Sequence, residues 1–226
     1  MRSDLTLSLH LDASVLEQKQ VKIPRLCAPI RSLRWQDASD AELKFAPEPN
    51  EWVIRWKDVA NAGQVIEIMF DAPPLLPQDC PTPAATGDGT LLLHAYQAAT
   101  HGEKLRFEPQ WYKNTVGYWT MPGDYATWKL RLDQPGTYSV AILQGCGNGQ
   151  GGSDVLLSLR TGDQVTAELP FQIVETGHFQ NFRWNHLGHI TLSDAGDFEL
   201  RIQPQKIAKN ATCDIRAVSL VRQAQP

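Results

Sequence analysis

The 226-residue sequence has no run of about eighteen apolar residues and no cluster of lysine and arginine. The first absence excludes a membrane-spanning helix, because the apolar core of a bilayer needs about twenty consecutive apolar residues. The second, with a formal net charge of −4, leaves no electrostatic footprint for nucleic acid or an anionic membrane surface. We therefore expect neither nucleic acid nor membrane among the partners.

Catalytic motifs are missing as well. The sequence has neither the GxSxG elbow of serine hydrolases nor the HExxH of zinc proteases, and no barrel pattern holds a carboxylate pair for glycoside hydrolysis. The glycine-rich stretch "GCGNGQGGS", residues 145–153, lacks the Lys-Ser/Thr of a phosphate loop and opens no helix. It is typical of a flexible crossing between strands, and we expect no catalytic residue in this chain.

Cysteine and histidine offer little for a metal site. The chain has four widely spaced cysteines without a CxxC pair, which argues against zinc: Cys27, Cys80, Cys146 and Cys213. Their spacing fits either buried thiols or disulfides. His186 and His189, in "HLGH", straddle the start of a strand pattern, so we expect their imidazoles to point to opposite faces without a bound metal.

Strand patterns, by contrast, are abundant. In "LTLSLHLDA" the leucines alternate with polar residues, as in a half-buried strand, and similar patterns recur up to Asp71 and again from Leu91. Between them, residues 72–90 carry five prolines, which cannot donate to a sheet ladder. The sequence predicts an all-β chain with a small antiparallel β-sandwich at 1–71, a Pro-rich linker at 72–90 and a jelly-roll β-sandwich at 91–226.

The two-residue strand period sorts some aromatic rings into core and surface. Trp128 alternates with polar residues in "TWKLRLD", and Tyr138 does so in "TYSVAIL", so both are predicted to be core. In "HFQNFRWN", Phe182 and Trp184 share an apolar face, whereas Phe179 shares the opposite face with polar residues. A lone ring beside polar groups is what a solvent-facing platform would look like, so Phe179 is a candidate.

Tyr118 and Trp119 lie beside Gly117 and the Pro122-Gly123 turn, on or next to a loop. Large rings are rarely left fully exposed. They therefore fit either a cap on the core or a second part of the platform, and the sequence does not choose between the two.

The second half of the sequence contains five separated motifs: "VGYWTMPGDYATWKLRLDQPGTYSVAI", "GCGNGQGGSDVLLSL", "TGHFQNF", "LGHITLSDAGDFELRI" and "CDIRAVSL". Their order, over about residues 91–222, resembles family six carbohydrate-binding modules and their galactose-binding-like relatives. The resemblance implies a jelly roll with a sugar site in the loops at one end. It also implies an appendage of an extracellular or periplasmic glycoside hydrolase or sulfatase, although the opening "MRSDLTLSLHLDASV" alternates and forms no apolar signal core.

The same resemblance implies which residues would bind the sugar. The loop aromatic of these modules corresponds to Phe179, the aromatic ahead of the "GD" turn to Tyr118 or Trp119, and the polar residue before the final strand to Asn210. Further polar groups that we expect to read sugar hydroxyls belong to Asn181, Gln150 and Asp124. Two stacking contacts and several hydrogen bonds, at about 1 kcal/mol each, predict a Kd from about millimolar to tens of micromolar.

The sequence departs from this family at its calcium site. The first strand of these modules usually carries acidic calcium ligands, whereas "LHAYQAA" has His94 and Tyr96. Asp214 matches a position that can be a ligand, but one carboxylate is too little for a cation that takes about six to eight oxygens. We therefore expect no metal and no other cofactor.

Residues 20–72 resemble the β-sandwich that follows the catalytic barrel in α-L-fucosidases, and the likeness lies in "PIRSLRWQDASDAELKFAPEPNEWVIRWKDVANAGQVIEIMFDAPP". The leading hypothesis is thus a non-catalytic carbohydrate-binding module, an accessory or C-terminal part of a fucosidase-like glycoside hydrolase or of a sulfatase. The alternative is a structural or protein-interaction β domain that supports a catalytic partner, with Phe179 and Trp119 buried at a seam.

Overall fold

The computed structural model of the protein describes residues 5–36, 42–57 and 64–224. They form two compact units, of which the first contains the described residues up to Cys80 and also Glu108–Asn114. The second contains Pro81–Phe107 and the chain from Thr115 onward. Both consist of antiparallel sheets, so the predicted all-β class is confirmed. No helix in the described part of the chain has the length and apolar character needed to cross a membrane.

The first unit is a β-sandwich of two three-stranded sheets, ordered β1-β6-β3 and β2-β5-β4. Its elements are β1 (Thr6–His10), α1 (Ala13–Gln18), β2 (Gln20–Pro24), β3 (Ile30–Trp35), β4 (Leu43–Pro47), β5 (Glu51–Trp56) and β6 (Val65–Phe70). Trp35 meets Trp56 edge to face with ring centroids 5.5 Å apart. Trp52 stacks on Phe70 at 6.5 Å. These ring contacts join the two sheets, because each pair has one member in either sheet.

The second unit contains a six-stranded and a five-stranded sheet. Its strands are β7 (Thr90–His94), β8 (Ala99–His101), β9 (Arg106–Glu108), β10 (Thr115–Gly117), β11 (Tyr125–Leu132), β12 (Gly136–Cys146), β13 (Asp154–Thr161), β14 (Gln164–Gln172), β15 (His178–Leu192), β16 (Gly196–Lys206) and β17 (Asp214–Arg222). One sheet has the order β15-β12-β17-β10-β9 with β7 also paired to β17, and the other has the order β14-β13-β16-β11-β8. This is the jelly-roll-like sandwich that the sequence predicted.

Trp128 and Tyr138 lie in the core between these sheets, as predicted from their alternation. They are 1% and 0% exposed, and each places its polar atom on a backbone carbonyl. Trp128 Nε1–H donates to His94 at 2.9 Å, and the Tyr138 hydroxyl donates to Gln134 at 2.7 Å. A large ring can thus be fully buried here without leaving its donor unsatisfied.

The strands differ from the sequence pattern in two ways: two predicted runs form one strand, and two short strands were not predicted. The runs "FQNFRW" and "HITL" merge into the single strand β15, because a bulge at Gly188, with φ of 134°, continues the ladder between them. The three-residue strands β8 and β10 are too short to show alternation, so the sequence pattern missed them.

The Pro-rich stretch belongs to both units. Residues up to Cys80 pack with the first unit, whereas from Pro81 the chain belongs to the second. There Arg131 exchanges backbone hydrogen bonds with Pro83 and Ala85, at 2.8 and 3.1 Å. The division into domains 1–71 and 91–226 with a linker at 72–90 stays a prediction.

Candidate functional site

Three loops meet at one end of the second unit: residues 147–153, 173–177 and 207–213, which with the Phe179 ring we call the loop site. The Gly149 N–H donates to the carboxylate of Glu175 at 2.8 Å, which joins the first two loops. The Asn210 N–H donates to the side chain of Gln150 at 3.1 Å, which joins the first and third. Loops tied to one another in this way hold their side chains in fixed relative positions.

Phe179, at the start of β15, is half-buried and packs on the backbone of the first loop. A Cβ atom at Gly147 would lie 2.6 Å from Cε2 of Phe179, and one at Gly145 would lie 1.9 Å from its carbonyl oxygen. Both approaches require glycine, because real Cβ atoms do not come so close to other heavy atoms. The glycines of "GCGNGQGGS" therefore seat this ring, in addition to letting the chain cross between strands.

The loop that precedes Phe179 is held from below by polar side chains. The buried hydroxyl of Thr176 accepts the Cys146 N–H at 2.8 Å. The side-chain amide of Gln144, which is fully buried, donates to the Val174 carbonyl. Asn181 donates from its side chain to the Thr176 carbonyl. Hydrogen bonds made by the buried Thr176 and Gln144 rigidify this loop, and the exposed Asn181 adds a further one.

The predicted polar residues take different places in this arrangement. Asn210 is exposed on the third loop and directly contacts the half-buried Gln150, so these two predicted residues are brought together. Asn181 is also exposed, but its amide N–H supports the second loop. Glu175, which the sequence did not single out, joins the site through Gly149, and no local pattern marks it.

Trp119 and Asp124 are corrections to the predicted set. Trp119 is 1% exposed, and its Nε1–H donates to the Asp124 carbonyl at 2.9 Å, so its ring is core and cannot stack on a ligand. Asp124 is 1% exposed as well. Its carboxylate accepts three backbone N–H groups, from Glu103, Lys104 and Leu105, at 2.8 to 3.0 Å. A carboxylate that already accepts three backbone hydrogen bonds holds a turn in place and is not free to bind a sugar.

Tyr118 is 47% exposed and has a left-handed backbone with φ of 61°. This conformation, uncommon for a residue with a side chain, turns the chain so that adjacent rings diverge, Tyr118 outward and Trp119 inward. The Arg106 guanidinium lies 3.6 Å from the Tyr118 ring centroid, within the range of a cation–π contact. The Trp119 carbonyl accepts the Thr212 N–H at 2.9 Å, which attaches this segment to the third loop.

Two buried thiols, Cys146 and Cys213, adjoin the loop site, and burial makes both unreactive. Burial, together with the negative charges of Glu175 and Asp214, raises the pKa of Cys146 to about 11. Burial also raises the pKa of Cys213 well above its usual range, with Asp214 and Cys146 adding to the effect. At neutral pH both stay protonated, so neither is a nucleophile.

The two histidines of "HLGH" lie on one face of β15, which corrects the expectation of opposite faces. The bulge at Gly188 shifts the register, so that His186 pairs with Ala141 and His189 with Ser139. The ring centroids are 5.4 Å apart, and Ser139 Oγ lies 2.8 Å from His186 Nε2. An inserted residue reverses the alternation that the sequence argument assumed.

Within residues 5–36, 42–57 and 64–224, no three His, Cys, Asp or Glu residues group closely enough to hold a metal ion. Asp214, the single carboxylate that matched a ligand position, is 6% exposed at the start of β17. The expectation of a chain without calcium stays a prediction.

No protein-family model matches this chain, and none of the curated proteins matches it in sequence. Among solved structures, it is similar to the CBM35 of Abf62 from Cellvibrio japonicus, with 14% identity and a TM-score of 0.46, over 60% of this chain and 94% of that one. It is also similar to the C-terminal CBM6 of LamC from Zobellia galactanivorans, with 17% identity and a TM-score of 0.44, over 59% of this chain and 99% of that one.

A third similar structure is the α-L-fucosidase from Vibrio sp. strain EJY3, with 12% identity and a TM-score of 0.40. It aligns with 99% of this chain, which spans 39% of the length of that protein. Carbohydrate-binding modules and an α-L-fucosidase, which the sequence motifs resemble, are thus among the solved structures similar to this chain. Identities and TM-scores at this level say nothing about binding, so the site is defined by its own geometry.

Proposed function

We propose that the second unit is a non-catalytic carbohydrate-binding module that binds a glycan or polysaccharide at the loop site. The observation that carries this proposal is the half-buried Phe179 ring, seated on Gly147 by a contact that any side chain at 147 would disturb. Exposed Asn210 and half-buried Gln150 lie on the adjoining loops. A ring of fixed orientation beside amide groups suits a pyranose, whose C–H face stacks on the ring while amides bind its hydroxyls.

Tyr118 is a second stacking surface in this proposal. Its exposed ring belongs to a segment hydrogen-bonded to the third loop, and Arg106 holds the ring in place. Two rings and a few amide hydrogen bonds give a Kd between about millimolar and tens of micromolar. Such a module serves as an accessory part of a secreted glycoside hydrolase, fucosidase-like, or of a sulfatase, and keeps the enzyme near its polysaccharide.

The proposal is tested first by screening the chain on an array of fucosylated, galactosylated, xylan and sulfated glycans, with and without EDTA. The Kd of a hit is then measured by titration calorimetry for wild type and Phe179→Ala. We expect Phe179→Ala to weaken binding at least about tenfold, since it removes a stacking contact worth about 1 kcal/mol or more plus the order of the site. Loss of binding with EDTA would reveal a required metal ion.

Trp184→Ala is the matched control. Trp184 is 53% exposed on the same strand, five residues beyond Phe179 and away from the three loops. We expect its removal to leave the Kd unchanged. Equal affinity of wild type and Phe179→Ala, with both folded by circular dichroism, would contradict the loop site, and loss of binding in Trp184→Ala alone would move the site to the outer face of β15.

A second candidate function, a contact surface for a catalytic partner, is favoured by Trp111 and Tyr112 in the first unit. They are 67% and 48% exposed and pack edge to face with centroids 5.7 Å apart. Exposed neighbouring aromatics are enriched at protein interfaces. Sedimentation velocity of the chain with an α-L-fucosidase catalytic domain would test this, with a Trp111→Ser/Tyr112→Ser variant expected to lose any association.

A further inference from the structure

His186 and His189 form a pair on one face of β15, outside the loop site. Both side chains are exposed. The sequence argued against a metal ion here because strand alternation placed the two imidazoles on opposite faces, and the bulge at Gly188 removes that argument. Whether the pair can share one ion then depends on the distance between the rings, on their inclination and on the groups beside them.

The spacing of the two rings fits a shared metal ion. An ion bound about 2.0–2.1 Å from an imidazole nitrogen lies about 3.2 Å from the ring centroid, so two rings on one tetrahedral ion have centroids about 5.2 Å apart. The centroids of His186 and His189 are 5.4 Å apart. The rings are inclined at 66° to each other and are not stacked, which lets one nitrogen of each ring face a common point.

Ser139, on the neighbouring strand β12, contacts one of the two rings. It lies directly opposite His189 in the β12–β15 ladder, and its Oγ is 2.8 Å from Nε2 of His186. The His186 ring therefore reaches toward the register position of His189. Histidines that bind metal ions usually have their second ring nitrogen hydrogen-bonded to an oxygen in this way, which orients the ring and leaves the other nitrogen for the metal.

The donor set at this pair selects the kind of ion. In the part of the chain that the structure describes, no Asp, Glu, Cys or further His joins the two histidines as a third ligand, so water completes the coordination. Two imidazole nitrogens without a carboxylate suit Cu²⁺, Ni²⁺ or Zn²⁺. They do not suit Ca²⁺ or Mg²⁺, which take oxygen ligands.

We propose that His186 and His189 are a binding site for a divalent transition-metal ion of the copper or zinc type, and that Ser139 orients His186 in it. His186 Nδ1 and one nitrogen of His189 coordinate the ion, while His186 Nε2–H donates to Ser139 Oγ. Cu²⁺ binds more tightly than Zn²⁺, in the usual order for nitrogen ligands. The two ligands lie on either side of the bulge at Gly188, so the ion stabilises the bulged edge strand β15.

The test is to titrate the full chain, without a histidine tag, with CuCl₂ and separately with ZnCl₂ by isothermal titration calorimetry. Electron paramagnetic resonance of the Cu²⁺-loaded chain counts the imidazoles bound to copper, and we expect two. When the free ion exceeds its Kd about a hundredfold, the melting temperature should rise by about 5–10 °C. MgCl₂ at the same concentration should cause no such rise.

Three variants of the site separate ligands from the orienting group. Ser139→Ala keeps both imidazoles and removes only the contact that orients His186, so the affinity should fall about tenfold. His186→Gln and His189→Gln each remove a ligand, so each should lose more affinity than Ser139→Ala and show a single copper-bound imidazole. All three side chains are on the surface of β12 or β15, and circular dichroism checks that the variants fold.

His178→Gln is the matched control. His178 is an exposed histidine on the same strand, and its Nδ1 accepts the Gln180 N–H at 3.1 Å. This variant should keep the wild-type affinity and two copper-bound imidazoles. A single bound imidazole in wild type, or affinity unchanged in both His186→Gln and His189→Gln, would overturn the proposal. An equal loss of affinity in His178→Gln would also overturn it, since the ions would then be spread over separate surface histidines.

Discussion

Phe179 and Trp119 were both candidates for one sugar-binding platform, and the fold places them in opposite surroundings. Phe179 stays half-buried at the edge of the loop site, with its ring against Gly147. Trp119 is buried, and its indole N–H donates to the Asp124 carbonyl. The indole can enter the core because its polar atom finds an acceptor there, whereas the position of Phe179 is set by two glycines that let the backbone come close.

The largest expected effect concerns Trp119. Trp119→Ala should lower the free energy of unfolding by about 3–5 kcal/mol, because it leaves a cavity where a fully buried ring had been. Chemical denaturation followed by circular dichroism measures this loss. Phe179→Ala should cost clearly less, since its ring is only half-buried. An equal loss of unfolding free energy in the two variants would contradict the assignment of Trp119 to the core and of Phe179 to the site.

Asp124 should come next. Asp124→Ala removes the acceptor of three backbone N–H groups, and at about 1 kcal/mol for each the unfolding free energy falls by about 3 kcal/mol. Asp163→Ala, at an exposed position in the turn after β13, is the control and should change stability by less than about 0.5 kcal/mol. A neutral Asp124→Ala variant would show that other acceptors replace the carboxylate.

Gly147→Ala tests the contact that positions the Phe179 ring without replacing Phe179 itself. The new Cβ would lie 2.6 Å from the ring, so the ring must shift, at a cost of about 1–3 kcal/mol in stability. We expect glycan affinity, measured by titration calorimetry, to fall along with it. Gly123→Ala, where a Cβ meets nothing within 4 Å, is the matched glycine control and should keep full affinity. Unchanged affinity in Gly147→Ala would mean that ring orientation is unimportant.

The smallest expected effect is a dependence of stability on pH, which arises near the Asp124 turn that contacts Trp119. His101 directly precedes the loop that binds Asp124, and burial lowers the pKa of His101, with Arg201 adding to this and Glu199 opposing it. Burial lowers the pKa of His94 too. The unfolded chain therefore binds these protons more readily, so their contribution to stability is present above about pH 6.5 and is lost as the pH falls below it.

We expect the melting temperature to fall by roughly 1–3 °C more between neutral and mildly acidic pH in wild type than in His101→Gln. Differential scanning calorimetry across this pH range measures the difference. Identical pH profiles for the two proteins would show that His101 does not contribute to it.

Local alternation predicted much of the fold and part of the site. Trp128 and Tyr138 were placed in the core because a strand's side chains alternate between faces, and both are buried. The same alternation failed for Trp184, which belongs to an apolar pattern but is 53% exposed on β15, the edge strand of its sheet. It also failed for His186 and His189, where a bulge inserts a residue.

The sequence by itself determined the all-β class, the principal strands and the core rings, since these depend on the period of side chains along a single strand. Only the tertiary structure decided that Trp119 and Asp124 lie inside and that Gln150 meets Asn210. Those contacts join residues far apart in the chain, through strand register, bulges and a left-handed turn at Tyr118. None of these features produces a periodic pattern in the sequence, because each depends on which distant segment of the chain packs against the residues concerned.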